Sequence, residues 1–137
     1  MELKEKLKIE KNEAERNEIN RSIANLYSKL NKKDSLILYV SKTISYYKKV
    51  NNTEKLFNNN LVLANYLMRN GDYGKAEKFL IDAQKYAQNS KDLDRKIQLN
   101  YSLGAFNTYK KNYNLAQKYY FENIQNYLDG KKVDKTY

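Results

Sequence analysis

Few side chains in this sequence are of the types that carry out catalysis. His and Cys do not occur among the 137 residues, which removes the commonest general base, the commonest metal ligand and the usual nucleophilic triads. Asp92 and Asp94 form a pair of carboxylates, but they lie at an expected helix start, where the helix dipole favours acidic residues. The sequence therefore predicts a protein that is not an enzyme, with no metal and no cofactor.

The segment Gly71-Asp72-Tyr73-Gly74 is the nearest approach to a phosphate-binding loop. A P-loop has two glycines further apart, followed by Lys and then Ser or Thr, and this segment lacks that pattern. Asn70 and Gly71 are typical of a helix end, and Asp72 is typical of a helix start. We therefore interpret the segment as a turn between two helices.

Charge and aromatic content favour binding. The chain has 26 Lys and Arg against 16 Asp and Glu, a net charge of +10, and the excess is spread along its length. That distribution is typical either of a solvated surface or of a protein with an acidic partner, such as a protein, a peptide or nucleic acid. The 14 Tyr supply large contact area with a polar tip, which suits protein binding where they are exposed.

Composition also bears on fold class and location. The chain contains no Pro, the main helix breaker, so we predict an all-α fold. No apolar stretch approaches the about 18 residues of a membrane-spanning helix, and the start, MELKEKLKIEKNE, lacks the apolar core of a signal peptide. We expect no membrane span and a cytoplasmic protein, and both a small complete protein and a piece of a longer one remain open.

The elements that would position the binding residues repeat along the chain. At a shift of 40 residues Leu63 aligns with Leu103, and Ala76 aligns with Ala116. Within each copy, apolar residues recur at helical spacing in two runs separated by a turn, the pattern of a helical hairpin. We predict three hairpins at about 13–50, 53–89 and 92–128, a partial or capping helix at 1–12 and a tail at 129–137.

Capping residues set the predicted helix boundaries. We expect Asn12 to cap the first hairpin, Asp34 or Ser35 to cap its second helix, and Thr53 to cap the second hairpin. Asp129-Gly130 is expected to end the last helix before the tail.

Small residues occur where the two helices of a hairpin would cross, because larger side chains would hold the backbones apart. At these residues the chain resembles the tetratricopeptide repeat family, and the resemblance covers about residues 13–128. The structural repeat positions are Ala24, Ala64, Gly104, Gly71, Tyr73, Ala76, Tyr113 and Ala116. The family repeat is shorter, about 34 residues, and its Trp position is Asn in all three copies. Long-period members occur in bacterial regulators, and a solenoid of the armadillo type is the alternative.

The resemblance implies a right-handed α-α superhelix whose first helices line a concave, peptide-binding face. In this sequence that face would hold Arg21, Asn25, Asn65, Met68, Arg69, Tyr101 and Tyr109. Asn amides can pair with the backbone of an extended partner in both directions. Arg would meet carboxylates, and Tyr would meet an apolar side chain.

The function that follows is a scaffold for protein or peptide binding, with an acidic partner in keeping with the net charge. Two alternatives stay open. One is a sensor or regulatory segment of a larger bacterial signalling or transcription-regulating protein, and the other is a basic helical repeat that binds nucleic acid. The end repeats could also pair with a second copy, because unburied repeat faces favour stacking.

Overall fold

The computed structural model describes residues 2–134, with side chains through residue 130, and consists there of seven α-helices. They are α1 (Glu2–Ile9), α2 (Glu13–Lys29), α3 (Lys33–Lys49), α4 (Thr53–Arg69), α5 (Tyr73–Ala87), α6 (Leu93–Tyr109) and α7 (Tyr113–Asp134). No strand occurs in this range, so the all-α prediction is confirmed. None of the helices in the described part of the chain is long and apolar enough to cross a membrane.

The helices after α1 begin at a constant spacing of 20 residues. Their first residues are Glu13, Lys33, Thr53, Tyr73, Leu93 and Tyr113. The 40-residue shift that aligns the sequence is therefore two helices with their connections. This regular spacing places equivalent side chains on equivalent helices.

One type of tight turn makes four of the connections within residues 2–134. A residue with positive φ lies in each turn, namely Asn31 (53°), Asn51 (55°), Gly71 (80°) and Lys111 (64°). The next amide donates to a carbonyl five residues earlier, Lys32 to Tyr27, Asn52 to Tyr47, Asp72 to Leu67 and Asn112 to Asn107, at 2.8 to 3.0 Å. This is the Schellman helix ending, and it favours Gly and Asn because they adopt the left-handed conformation at least cost.

Side-chain caps occur at several of the predicted helix starts. Asn12 Oδ1 accepts from the Glu15 amide at 3.1 Å, and Asp92 Oδ1 accepts from the Asp94 amide at 3.0 Å. Each bond satisfies a backbone donor that the first helical turn leaves unpaired. The starts of α2 and α6 are thus encoded locally.

Two predicted caps are wrong. Helix α3 follows Lys32, which makes no side-chain cap bond, so neither Asp34 nor Ser35 caps it. The cap of α4 is Asn52, whose Oδ1 accepts from the Lys55 amide at 3.1 Å, and Thr53 is the first helical residue. In both cases the helix begins directly after the tight turn, so its first residues precede or include the predicted capping residue.

The last helix continues beyond its predicted end. Helix α7 extends to Asp134, so Asp129-Gly130 does not end it, and residues 129–134 are helical rather than a tail. A Cβ built on Gly130 would lie 3.8 Å from Leu93 Cδ1, so α7 still packs on α6 at this point. Such packing outweighs the helix preference that one Gly loses, about 1 kcal/mol. The rest of the predicted tail, residues 135–137, lies outside the described residues.

The chain divides into two compact units, Met1–Asn59 and Asn60–Tyr137, and each is described by itself. In the first unit α1 packs on α2, and α2 packs on α3. Its buried apolar residues are Leu7, Ile23, Ala24, Leu36, Tyr39, Val40, Ile44, Tyr47, Leu56 and Phe57. Arg16 donates through Nη1 to the backbone carbonyls of Leu7 and Glu10, which ties the end of α1 to α2.

In the second unit α5 packs on α6, and α6 packs on α7. Its core includes Leu63, Ala64, Leu67, Ala76, Leu80, Ala83, Leu103, Phe106 and Ala116. Four of the small residues predicted at helix crossings are buried here, since Ala64 and Ala76 are 0% exposed, Ala116 is 3% exposed and Gly104 is also buried. This unit holds most of the predicted binding residues.

Candidate functional site

The predicted binding residues are divided between the two units. Arg21 and Asn25 lie on α2 in the first unit. The second unit holds Asn65, Met68 and Arg69 on α4, and Tyr101 and Tyr109 on α6. We call these five residues the α4/α6 face.

Arg21 and Asn25 lie one helical turn apart on α2. Asn25 is exposed, and Arg21 Nη1 lies 3.1 and 3.0 Å from the two carboxylate oxygens of Glu18. Because this pair is solvated, it contributes no more than about 1 kcal/mol. A partner carboxylate would therefore compete with Glu18 for Arg21 at little cost.

A hydrogen bond joins α4 to α6 within the second unit. Ser102, 2% exposed, donates from Oγ to Asn65 Oδ1 at 2.8 Å. Asn65 Nδ2 donates to no other residue that the structure describes, and the side chain is half-buried. Asn65 therefore joins the two helices through its oxygen and keeps its amide hydrogens available as donors.

The exposed stripe of α4 continues on both sides of Asn65. Val62 is 65% exposed, Arg69 is exposed and Met68 is half-buried. Residues 62, 65 and 69 follow the spacing of one helix face. Sequence reasoning missed Val62, because periodicity alone does not separate it from the adjacent Leu61, which is buried at 5% exposed.

Tyr109 belongs to the fold as well as to the face. Its ring stacks on Tyr73 of α5, with centroids 3.3 Å apart and planes inclined by 2°, and it remains 55% exposed. A cavity of about 290 Å³ opens beside this pair, between the turn that precedes α5 and the end of α6. Tyr73, predicted to be structural, thus supports a residue predicted to bind.

Tyr101 is the more exposed of the two tyrosines of the α4/α6 face, at 67% against 55% for Tyr109. Its ring meets Tyr120 of α7 edge-on, with centroids 6.3 Å apart. The equivalent residue on α4 is the buried Leu61. Tyr101 is therefore exposed at a position that is part of the core one hairpin earlier.

Tyr113 differs from its prediction. The repeat pattern predicts a core position, but Tyr113 is 61% exposed, whereas the equivalent Tyr73 is half-buried and stacked on Tyr109. Tyr73 has α6 beside it, and within the described residues α7 has no following helix.

A second concavity lies between α5, α6 and α7, with a volume of about 720 Å³. Its polar lining consists of Gln84, Gln88, Asn100, Gln125 and Asn126 with the charged residues Lys85, Lys96 and Glu122. Asn100, 8% exposed, donates from Nδ2 to Glu122 Oε2 at 3.3 Å. Sequence reasoning missed this groove, and the available signal was the recurrence of Asn at positions 20, 60 and 100.

Among the side chains that the structure describes, residues 2–130, no three of His, Cys, Asp or Glu are placed to hold a metal ion together. Comparison of the chain with models of protein families, with curated proteins and with solved structures gives no match. The function therefore has to be argued from the residues themselves.

Proposed function

We propose that the chain is a non-enzymatic scaffold that binds a protein or peptide segment on the α4/α6 face, within a solenoid of helical hairpins of the tetratricopeptide type. The observation that supports the binding site is the Ser102–Asn65 hydrogen bond. This bond joins α4 to α6 within one unit, and these two helices carry the amide of Asn65, the guanidinium of Arg69 and the two tyrosines. The 20-residue spacing of helix starts and the recurring turn support the repeat architecture.

The side chains of the α4/α6 face suit an extended, acidic segment. Asn65 Nδ2 donates to a backbone carbonyl of the partner. Arg69, which forms no ion pair among the described residues, offers a carboxylate several donors in a planar fork. Met68, three residues from Asn65 on α4, contacts an apolar side chain of the partner. The net charge of +10 accelerates encounter with an acidic partner.

Selection from a random peptide library tests this proposal, because the library presents every partner chemistry at once. The dissociation constants of the selected peptides are then measured for the wild type and for the variants Arg69→Glu and Met68→Ala. Both variants leave the Asn65–Ser102 bond in place. Lys118→Glu makes the same charge change on α7 and is the matched control. We expect Arg69→Glu to raise Kd by about tenfold or more and Lys118→Glu to change it little.

Equal losses in Arg69→Glu and Lys118→Glu would contradict the α4/α6 face. A single-stranded oligonucleotide, measured in parallel, covers the nucleic-acid alternative. Binding that weakens steeply with salt, and that responds alike to both charge reversals, would replace the proposal with general electrostatic attraction. Selected peptides rich in Asp and Glu that depend on Arg69 and Met68 would support it.

A further inference from the structure

Helix α7 exposes a row of large apolar side chains. They are Tyr113 (61% exposed), Tyr120 (36%), Phe121 (60%), Ile124 (55%) and Leu128 (48%), and we call them the α7 patch. Their spacing of three, four and seven residues places them on one side of the helix. At roughly 100 Å² each, they expose about 500 Å² of apolar surface, at which size a patch on a soluble monomer is often functional.

Helix α5 shows which part of this patch another hairpin would cover. The two helices align at a shift of 40 residues, and α6 packs on α5. Gln84 and Gln88, the equivalents of Ile124 and Leu128, nevertheless remain exposed on α5. A following helix placed as α6 is placed would thus leave Ile124 and Leu128 in water. Their apolar character indicates an occupant with a different docking position.

We propose that the α7 patch binds the α7 patch of a second copy of this chain, in an antiparallel and symmetric dimer. The patch contains no charged residue. At about 100° of rotation per residue, Glu122 lies on the far side of the helix, and Lys118 borders the patch, about 60° from Phe121. Two chains of net charge +10 repel each other, and an uncharged face lets them approach with the least electrostatic cost.

The spacing within the patch suits a helix as the partner. Tyr113 and Tyr120 are seven residues apart, and Ile124 and Leu128 follow at intervals of four, so all four lie along one face of the helix, on which a partner helix can lie. A twofold axis near Ile124 brings Tyr120 of one copy towards residues 127 and 128 of the other. Such a contact uses the same surface twice and closes after two copies.

The area of the patch sets the expected strength. Covering about 500 Å² on each chain gives about 1,000 Å² in total, the lower end for specific interfaces, so we expect a dissociation constant on the order of micromolar. The proposal does not depend on peptide binding at the α4/α6 face. Its test uses other residues, so that either proposal can fail alone.

Sedimentation equilibrium across the micromolar range tests the dimer. Phe121→Glu places a charge in the patch and should give a monomer at every concentration. Ile81→Glu is the matched control, because Ile81 is 58% exposed at the equivalent position of α5 and Phe121 is 60% exposed. We expect Ile81→Glu to associate as the wild type does, with far-ultraviolet circular dichroism showing that both variants are helical.

A wild type that stays monomeric throughout would overturn the proposal and assign the patch to another occupant. Association that survives Phe121→Glu, or that Ile81→Glu abolishes equally, would also overturn it.

The absence of native Cys allows a test of the dimer geometry. Near the twofold axis, residue 124 lies beside its own counterpart, so Ile124→Cys should form a disulfide-linked dimer with oxidised glutathione as the oxidant. Gln125→Cys, rotated by about 100° around the helix, should not. Equal cross-linking of the two variants would indicate random collision and contradict the antiparallel seam.

Discussion

Gly104 of α6 lies against the ring of Tyr120 of α7. A Cβ built on residue 104 would stand 2.5 Å from Cε1 and 2.6 Å from Cζ of that ring, closer than van der Waals contact permits. Residue 104 is therefore the point of closest approach that the repeat pattern predicts for a small side chain. At the equivalent position of α4 the structure accommodates Ala64, which is 0% exposed.

Gly104→Ala should destabilise the protein although Ala is the better helix former. The substitution gains about 1 kcal/mol of helix preference but forces the Tyr120 ring from its place, and overpacking of this kind costs about 1–3 kcal/mol. We expect a net loss of about 1 kcal/mol in the free energy of unfolding, measured with urea. Added to Tyr120→Ala, the same substitution should be neutral or stabilising. A single variant as stable as the wild type would contradict the close approach.

Lys111→Gly should stabilise the turn before α7. Lys111 has a φ of 64°, where a residue with a Cβ is strained and Gly is not. We expect the free energy of unfolding to rise by about 0.5–1 kcal/mol.

Gly71→Ala is the reciprocal control for this prediction. Gly71 has a φ of 80°, and a Cβ there would meet nothing within 4 Å. Its expected loss, about 1 kcal/mol, therefore reports backbone conformation alone. Opposite signs for the two variants support the shared turn geometry, whereas a destabilised Lys111→Gly would refute it.

The hairpins could be predicted from the sequence where residues that favour turns lie between runs of helical apolar periodicity. Asn31 and Gly71 occupy left-handed turn positions that their types favour, so the turns after α2 and α4 were predictable. Lys111 occupies the same position with no such preference, and only its alignment with Gly71 identifies it. Local signals failed at Gly130, where packing on Leu93 continues α7 through a residue that usually ends a helix.

The candidate site was predictable only in part. The family resemblance assigns Tyr101 and Tyr109 to an open face, and both are exposed. The stacking of Tyr109 on Tyr73 depends on the position of α5 relative to α6, which no local pattern encodes. The Ser102–Asn65 bond could not be predicted for the same reason, since it joins residues 37 positions apart in the chain.

The connection between α1 and α2 should show a linked pair of titrations. The Asn12 amide donates to Glu10 Oε1 at 2.9 Å, and this bond, with a further one to Glu15, lowers the pKa of Glu10. The hydrogen bond with Glu10 raises the pKa of Glu15. Glu10 thus contributes stability above its ordinary pKa that is lost as the pH falls through its lowered value. Glu15 contributes stability below its ordinary pKa that is lost as the pH rises through its raised value.

Glu10→Gln should lower the pKa of Glu15 towards its ordinary value, because the substitution removes the adjacent carboxylate charge. Carboxyl chemical shifts followed by NMR across the acidic range measure this change. Glu13→Gln is the control. Glu13 pairs with Lys49 at 2.6 Å, so Glu13→Gln should leave the pKa of Glu15 unchanged. A Glu15 pKa that does not respond to Glu10→Gln would contradict the coupling.

The Ser102–Asn65 bond should be detectable as a coupling between α4 and α6. Ser102→Ala leaves Asn65 Oδ1 without its donor, and Asn65→Ala leaves the buried Ser102 hydroxyl with the more distant Gln98 carbonyl, at 3.2 Å, as its acceptor. Either change alone should cost about 1 kcal/mol in the free energy of unfolding, and the double variant should cost less than the sum by about 0.5–1 kcal/mol. A double-mutant cycle in urea measures the difference.

The same cycle, run on affinity for a selected peptide, separates the two roles of Asn65. If Asn65 only positions the helices, Ser102→Ala and Asn65→Ala should weaken binding equally. Because Asn65 Nδ2 is also expected to donate to the peptide backbone, Asn65→Ala should weaken binding more, by about 0.5–1.5 kcal/mol, the net worth of one hydrogen bond. Equal effects in the two single variants would restrict Asn65 to a structural role and leave Arg69 and Met68 as the residues that contact the partner.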